Sequence, residues 1–228
     1  MKKLDTLYWQ KRWKENNIAF HEEAENKFLT RHLDKLELIK GSRIFIPLCG
    51  KTRDIAWLLS KGYRVVGIEL SEIAVQALFF EFGVTANVKT ITTTNKQTLI
   101  QYSAPNIDIF VGDVFNLSKE SIGHVDAIYD RAALVALSKS TRIKYSHHLI
   151  KITSAAPQLL ITYTYDQQLM EGPPFSINED EVQRHYAETY TLQFIEGKKI
   201  IHGFKNNITP TENAWLLQKH PHGSLSKP

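Results

Sequence analysis

The stretch Arg43-Ile-Phe-Ile-Pro-Leu-Cys-Gly-Lys51 decides the fold. It opens as a short apolar run, Arg43 to Leu48, dense in β formers until Pro47. It then passes through Cys49-Gly50-Lys51-Thr52 into a helical stretch from Asp54 to Ser60. Gly62 ends that helix, and Tyr63-Arg-Val-Val-Gly-Ile68 reads as a second strand closing on Glu69. Ser71 and Glu72 open the next helix, with Ile73, Ala74, Ala77, Leu78 and Phe82 as its buried side and Gly83 as its stop.

The alternation continues downstream. Residues 85–104 are polar and Thr-rich, and read as strands or loop. Ile107-Asp-Ile-Phe-Val111 is a strand ending before Gly112-Asp113, and Val125-Asp-Ala-Ile-Tyr129 is another, ending at Asp130-Arg131. A helix over 139–153 leads to the strand Leu159–Tyr163, then a helix over 178–186 and two late strands, 190–195 and 214–218. Strands alternating with helices predict a parallel sheet covered on both faces. The late pair predicts an antiparallel hairpin at one edge.

Upstream, residues 5–15 read as a short helix with Asp5 as N-cap and with Trp9 and Trp13 on one face. Residues 22–40 read as a longer helix, with Ala24, Phe28, Leu29, Leu33, Leu36 and Ile39 as its apolar stripe and Gly41 as its stop. The expectation is one domain over 1–228, with a helical extension over 1–40 and a disordered tail over about 220–228.

Composition narrows the function. The chain has 228 residues, 43% hydrophobic and 23% charged, an ordinary globular make-up that excludes collagen, coiled coil and wholesale disorder. The longest apolar run, Ala132 to Leu137, is six residues, far short of a membrane span, and the N-terminus shows no signal-peptide core. The single cysteine, Cys49, forbids an internal disulfide and a Cys-rich metal cage. The expectation is a monomeric cytoplasmic protein with no membrane partner. Net charge is +4, but the last 31 residues hold five Lys against one acid, while the preceding 197 hold 23 basic and 23 acidic residues. A neutral body without basic runs predicts no nucleic-acid partner.

Ligands of open α/β sheets bind at the carboxyl ends of the strands. The residues to read are therefore Leu48 to Lys51, Glu69, Asp113 with Val114, and Asp130 with Arg131. A tight loop after the first strand lets backbone approach a ligand. An acid ending the second strand, here 19 positions after Gly50, can bond both ribose hydroxyls. Glu69 can equally cap the following helix. The glycine-rich phosphate fingerprint is missing: Pro47 and Leu48 stand where glycines are usual, so few backbone N–H groups are free for a pyrophosphate. A ribose ligand without phosphate, such as S-adenosylmethionine, fits the loop better. Asp113 can cap a turn or accept from an adenine amino group.

Six strings in order carry a resemblance: Trp9-Gln-Lys-Arg-Trp13, Ala19-Phe-His21, Arg43 to Lys51, Val65-Val-Gly-Ile-Glu-Leu-Ser71, Asp130-Arg-Ala-Ala-Leu-Val-Ala136 and Gly172-Pro-Pro-Phe175. Over about residues 5–188 the chain resembles the thiopurine S-methyltransferase family, a branch of the class I methyltransferases. The resemblance implies a Rossmann-like α/β fold with a mostly parallel seven-stranded sheet, helices on both faces and an N-terminal helical lid. It implies S-adenosylmethionine as cofactor and a small-molecule thiol as acceptor. Carried over by position, Trp9 closes over the methionine end of the cofactor and Leu48 lies beneath it. Glu69 holds the ribose, and Asp113 and Val114 sit by the adenine. Arg131 lies between methionine and acceptor, and Phe20 lines the acceptor pocket. Family members can carry an arginine near the C-terminus, where this chain has only Lys198, Lys199, His202 and Lys205.

Plainer readings stand beside these. Trp9 and Trp13 on sequence grounds are core or lid packing. Cys49 has no histidine placed to activate it. The histidine pairs His147 with His148 and His220 with His222 lack acidic or Cys partners at metal-ligand spacing. Arg131 has an alternative role in a salt bridge with Asp130 or another strand-end acid. Gly172-Pro-Pro-Phe175 mimics the Asn/Asp-Pro-Pro-aromatic loop of amino methyltransferases, but its first residue offers no acceptor. The expected activity is methyl transfer to sulfur of an aromatic or heterocyclic thiol, with selenium or tellurium acceptors second. No residue is singled out as catalytic and no metal is expected. A nicotinamide-dependent oxidoreductase and a non-catalytic adenosine-ligand sensor are the rival readings.

Overall fold

The computed structural model describes residues 3–18, 21–93, 96–201 and 208–221. The chain begins with α1 (Lys3–Lys14) and α2 (Lys27–His32), then enters β1 (Arg43–Pro47), α3 (Arg53–Ser60), β2 (Arg64–Glu69) and α4 (Glu72–Glu81). Three strands follow, β3 (Asn87–Thr92), β4 (Thr98–Ala104) and β5 (Ile107–Val111), then α5 (Lys119–Ile122), β6 (Ala127–Arg131) and α6 (Lys139–Thr153). The chain continues through β7 (Gln158–Thr164), α7 (Glu179–Tyr186), β8 (Tyr190–Lys199) and β9 (Thr211–Lys219).

Nine strands among the described residues form one sheet in the order β3-β4-β5-β2-β1-β6-β7-β9-β8. The five central strands, β5 to β7 in that order, pair in parallel. The edges are antiparallel: β3 and β4 on one side, β9 and β8 on the other. The central strands are apolar on both faces. In β1, Ile44, Phe45 and Ile46 are each at most 1% exposed, and each contributes about 1.5–3 kcal/mol by leaving water. One face packs on α2, α3 and α4 through Phe28, Leu29, Ile55, Leu58, Val75 and Leu78. The other packs on α6 and α7 through Tyr145, Leu149, Ile152, Val182 and Tyr186.

The α/β layering and the edge hairpin follow the expectation, but the sheet is mixed and has nine strands rather than a mostly parallel seven. The added pair comes from 87–104. There β3 is solvent-exposed along almost its whole length and shows no apolar alternation to announce it. The helix expected over 22–40 is shorter. Asn26 caps α2 by accepting from Phe28 N at 2.9 Å, and a 3-10 turn over Leu33–Leu36 ends at Glu37 with φ +52°. Ile39, counted in its apolar stripe, is 78% exposed. Asp5 is not an N-cap, since α1 already begins at Lys3. Of the tail, only His220 and Pro221 belong to the described residues; 222–228 lie outside them.

Candidate active site

Three residues in two turns at the carboxyl ends of the central strands leave ordinary backbone space. Leu48 after β1 has φ +47°, Gly50 has φ +52°, and Ala132 after β6 has φ +63°. Left-handed geometry at Leu48 and Ala132 carries a steric cost that collects at functional sites. These turns border a cavity of about 760 Å³. Trp9, Arg12 and Trp13 of α1 line it, with Leu48 to Thr52, Glu69 and Leu70, Tyr129, Arg131 and Ala132, Tyr163, and the loop from Gln168 to Pro174.

Glu69 sits where the second strand ends and is 6% exposed. Its Oε2 accepts from Gly50 N at 2.9 Å and its Oε1 from Ser71 N at 2.8 Å. Its main-chain carbonyl accepts from Gly112 N at 2.9 Å, tying in the end of β5. Burial raises the carboxyl pKa, and the backbone donors of Ser71, Gly50 and Leu70 oppose that rise. Gly50 leaves room for α1: a Cβ there would stand 3.1 Å from the Trp13 ring. Trp13 is accordingly core, 7% exposed. Burial, then the nearby Glu69 charge, push the Cys49 thiol well above its usual range, so it stays a neutral packing group.

Side chains alternate along β6 and split the Asp130-Arg131 pair. Asp130 points into the core beneath α6, accepting from Tyr145 OH at 2.7 Å and Leu134 N at 3.2 Å. Burial pushes its pKa up to about 6. Arg131 faces the cavity with Tyr129. Its partner is Glu22, from the segment between α1 and α2, and not Asp130 or another strand-end acid. Tyr163 of β7 also bonds to Arg131, while Arg131 Nε is buried without a partner. Around this group runs a polar network. Asp54 accepts from Asn26 N at 2.7 Å and from Tyr129 OH at 3.0 Å, and Asn26 Nδ2 donates to Glu212 Oε1 at 2.9 Å.

Four of the residues singled out in the sequence therefore meet at one cavity: Trp9, Leu48, Glu69 and Arg131. Asp113 and Val114 are not in its lining. Asp113 accepts from Phe115 N at 3.1 Å and caps the 3-10 turn Val114–Asn116. Val114 is 2% exposed, and its carbonyl bonds to His148 Nε2 at 2.9 Å. Register still places them close: Glu69 pairs with Val111, two residues before Asp113. Phe20 lies outside the described residues.

Sequence reading missed Glu22, Asp54, Tyr129, Tyr163 and Glu212. Strand parity carried a signal for Tyr129, which shares a face with Arg131. The loop over 166–175 has its own logic. Gly172 has φ +82°, and a Cβ there would come within 2.7 Å of the Phe175 ring. Phe175 N donates to Val135 O at 2.7 Å, and Tyr165 OH to Pro174 O at 2.5 Å, fastening the loop over the cavity. No Asn or Asp fits at position 172 without moving that ring.

Among the described residues no helix is long and apolar enough to cross a membrane, and no cluster of His, Cys, Asp and Glu could hold a metal ion. The family model for thiopurine S-methyltransferase matches residues 4–219. The chain is 46% identical over 217 residues to a thiopurine S-methyltransferase of Xanthobacter autotrophicus, covering 95% of this chain and 100% of that protein. It is also 46% identical to one of Teredinibacter turnerae, covering 95% and 99%. Among solved structures, a 1,6-didemethyltoxoflavin-N1-methyltransferase of Burkholderia thailandensis, with bound 1,6-didemethyltoxoflavin and S-adenosylhomocysteine, superposes with TM-score 0.62 at 14% identity. That match covers 94% of this chain and 87% of the other and speaks for the fold. With nearly the whole chain matched, this protein belongs to the thiopurine S-methyltransferase family and is an S-adenosylmethionine-dependent methyltransferase.

Proposed function

We propose that the chain methylates the sulfur of small aromatic or heterocyclic thiols, with selenium or tellurium compounds as a second acceptor class. The observation that carries this reading is the composition of the cavity, in which Glu69 and Arg131 share the lining with Trp9, Trp13, Tyr129, Tyr163, Pro173 and Pro174. A flat apolar acceptor suits such walls. Nucleic acid is no acceptor in this reading, because the body of the chain is neutral and Gly172 offers no oxygen to a target amine.

The donor set fits the cofactor. The Glu69 carboxylate offers about four lone-pair sites, and with Gly50, Ser71 and Leu70 as its backbone donors it keeps acceptor capacity for a ribose hydroxyl. Asp113 and Val114, one strand over, serve the adenine side. Leu48 and Trp9 border the methionine end. When bound, S-adenosylmethionine would supply an electrophilic methyl on a sulfonium, for transfer to the acceptor thiolate with S-adenosylhomocysteine as the leaving group.

The protein's part is alignment and water exclusion. The Gln168–Pro174 loop and α1 both contribute to the cavity lining, which supports a role for them in excluding water. Arg131, buried and cationic, orients the acceptor sulfur or a ring nitrogen. Heterocyclic thiols ionise near neutral pH, so the site needs no strong base. An acceptor screen that follows tritium from labelled methyl donor tests the reading. Transfer to thiols is the expected result, and labelling of DNA, RNA or protein lysine instead would overturn it.

A further inference from the structure

Among the described residues three cations line the cavity, Arg12, Lys51 and Arg131, and the one at the end of β6, Arg131, is already engaged. The Arg131 side chain is 7% exposed and paired with Glu22, whose side chain is 49% exposed and lines the same cavity. Asp54 also lies in the field of Arg131, as does Glu212. Over the described lining of the cavity, Arg12, Lys51 and Arg131 stand against Glu22, Asp54, Glu69 and Glu171, so the formal charge is net negative whatever the protonation of Glu212. Burial, then Lys51, lower the His21 pKa, so His21 adds no charge near neutrality. Lys51 itself is closed by Glu81 at 2.5 Å.

A reacting thiolate is matched by the positive sulfur of the donor. A second anionic group on the acceptor needs a cation from the protein, and an unpaired charge in an apolar cavity is costly. We infer that Glu22 is a positioning residue that sets acceptor selectivity by charge. By holding the Arg131 guanidinium it admits neutral aromatic thiols and turns away those bearing a carboxylate. The inference rests on the thiol-methylation reading above.

The test uses two acceptors of nearly equal size and differing by one charge, 4-mercaptobenzoate and 4-mercaptobenzamide. Their kcat/KM values are compared in the full-length protein and in Glu22→Gln and Glu22→Asp. Wild type should prefer the amide. Glu22→Gln should raise the benzoate-to-amide ratio by about tenfold or more, the scale of one unit charge at an effective dielectric near 20. Glu22→Asp, which keeps the charge, should restore the wild-type preference. A residue that merely props up the fold would lower both acceptors together, and an unmoved ratio overturns the inference. Binding of both thiols to the S-adenosylhomocysteine complex, by calorimetry, separates the two layers. Binding selectivity that shifts in Glu22→Gln without turnover supports the charge filter and overturns thiol methylation. A wild type that neither binds nor methylates either thiol overturns both.

Discussion

Glu69 Oε2 accepts from Gly50 N at 2.9 Å, so the carboxylate that closes β2 is fastened to the turn that leaves β1. The same carboxylate holds Ser71 N at the start of α4. Glu69→Ala should weaken S-adenosylhomocysteine binding by roughly 1.5–3 kcal/mol, the range for hydrogen bonds to a charged group. Calorimetry on the folded variant measures this. Wild-type affinity would remove the ribose assignment.

Helix α1 is anchored by few buried side chains. Trp13 is core, but Leu7 and Tyr8 are 53% and 39% exposed. Elements with little burial open at low free-energy cost. Residues 3–18 should therefore gain protection from hydrogen exchange when cofactor and acceptor bind. Trp9→Ala should speed cofactor release more than it lowers Tm. Exchange unchanged by ligands would rule out a lid.

The rate should rise with pH through the acceptor's own pKa and then level, and should shift when a thiol of different acidity is used. An inflection that stays fixed across acceptors would point to a group on the protein as base, with His21 the cavity-lining candidate. Arg131→Lys keeps the charge but loses the planar fork that meets Glu22 and Tyr163. It should lower kcat more than it lowers cofactor affinity. Equal losses in both would assign Arg131 to the cofactor alone.

Asp130 makes a pH-dependent contribution to stability. Its pKa rises from 3.8 to about 6 on folding. Between those values the unfolded chain has released the proton while the folded chain still holds it, so stability falls as pH rises through the window. Above about 6 the loss is complete, on the order of 3 kcal/mol. Asp130→Asn removes this term while leaving an oxygen for Leu134 N. Urea titrations across pH 4–7 should show the variant gaining on wild type as pH rises, and a constant offset would contradict the assignment.

The centre of the site was legible because its parts are close in the chain. A strand, a turn, a helix and a strand ending in Glu69 occupy one continuous stretch, and local spacing is enough to read it. The helix over 22–40 misled because apolar spacing ignores long-range bonds. Asn26 caps α2 while its own N–H donates to Asp54, a contact no local pattern contains. The β3–β4 pair was hard to see because an exposed edge strand has no buried face to pattern. Glu22 was hidden for a third reason. It stands beside Ala19-Phe-His21, yet its role comes from a partner at the end of β6. Asp113 was read from its place after a strand as a turn cap or an adenine contact, and the resemblance put it and Val114 by the adenine; the structure shows the turn cap, one strand away from the cavity lining.

The split of Asp130 from Arg131 across the sheet also bears on how faithfully the protein folds. A slip of β6 by one residue exchanges the two faces of the strand. It would thrust a guanidinium into the apolar layer beneath α6, away from Glu22 and Tyr163. At the same step it would turn a carboxylate toward Glu22 and Asp54, where negative charge already collects. Each misplacement is costly, and they occur together. Two adjacent residues of opposite charge thus work as a proofreading device for the middle of the sheet, rejecting the nearest wrong alignment before any ligand arrives.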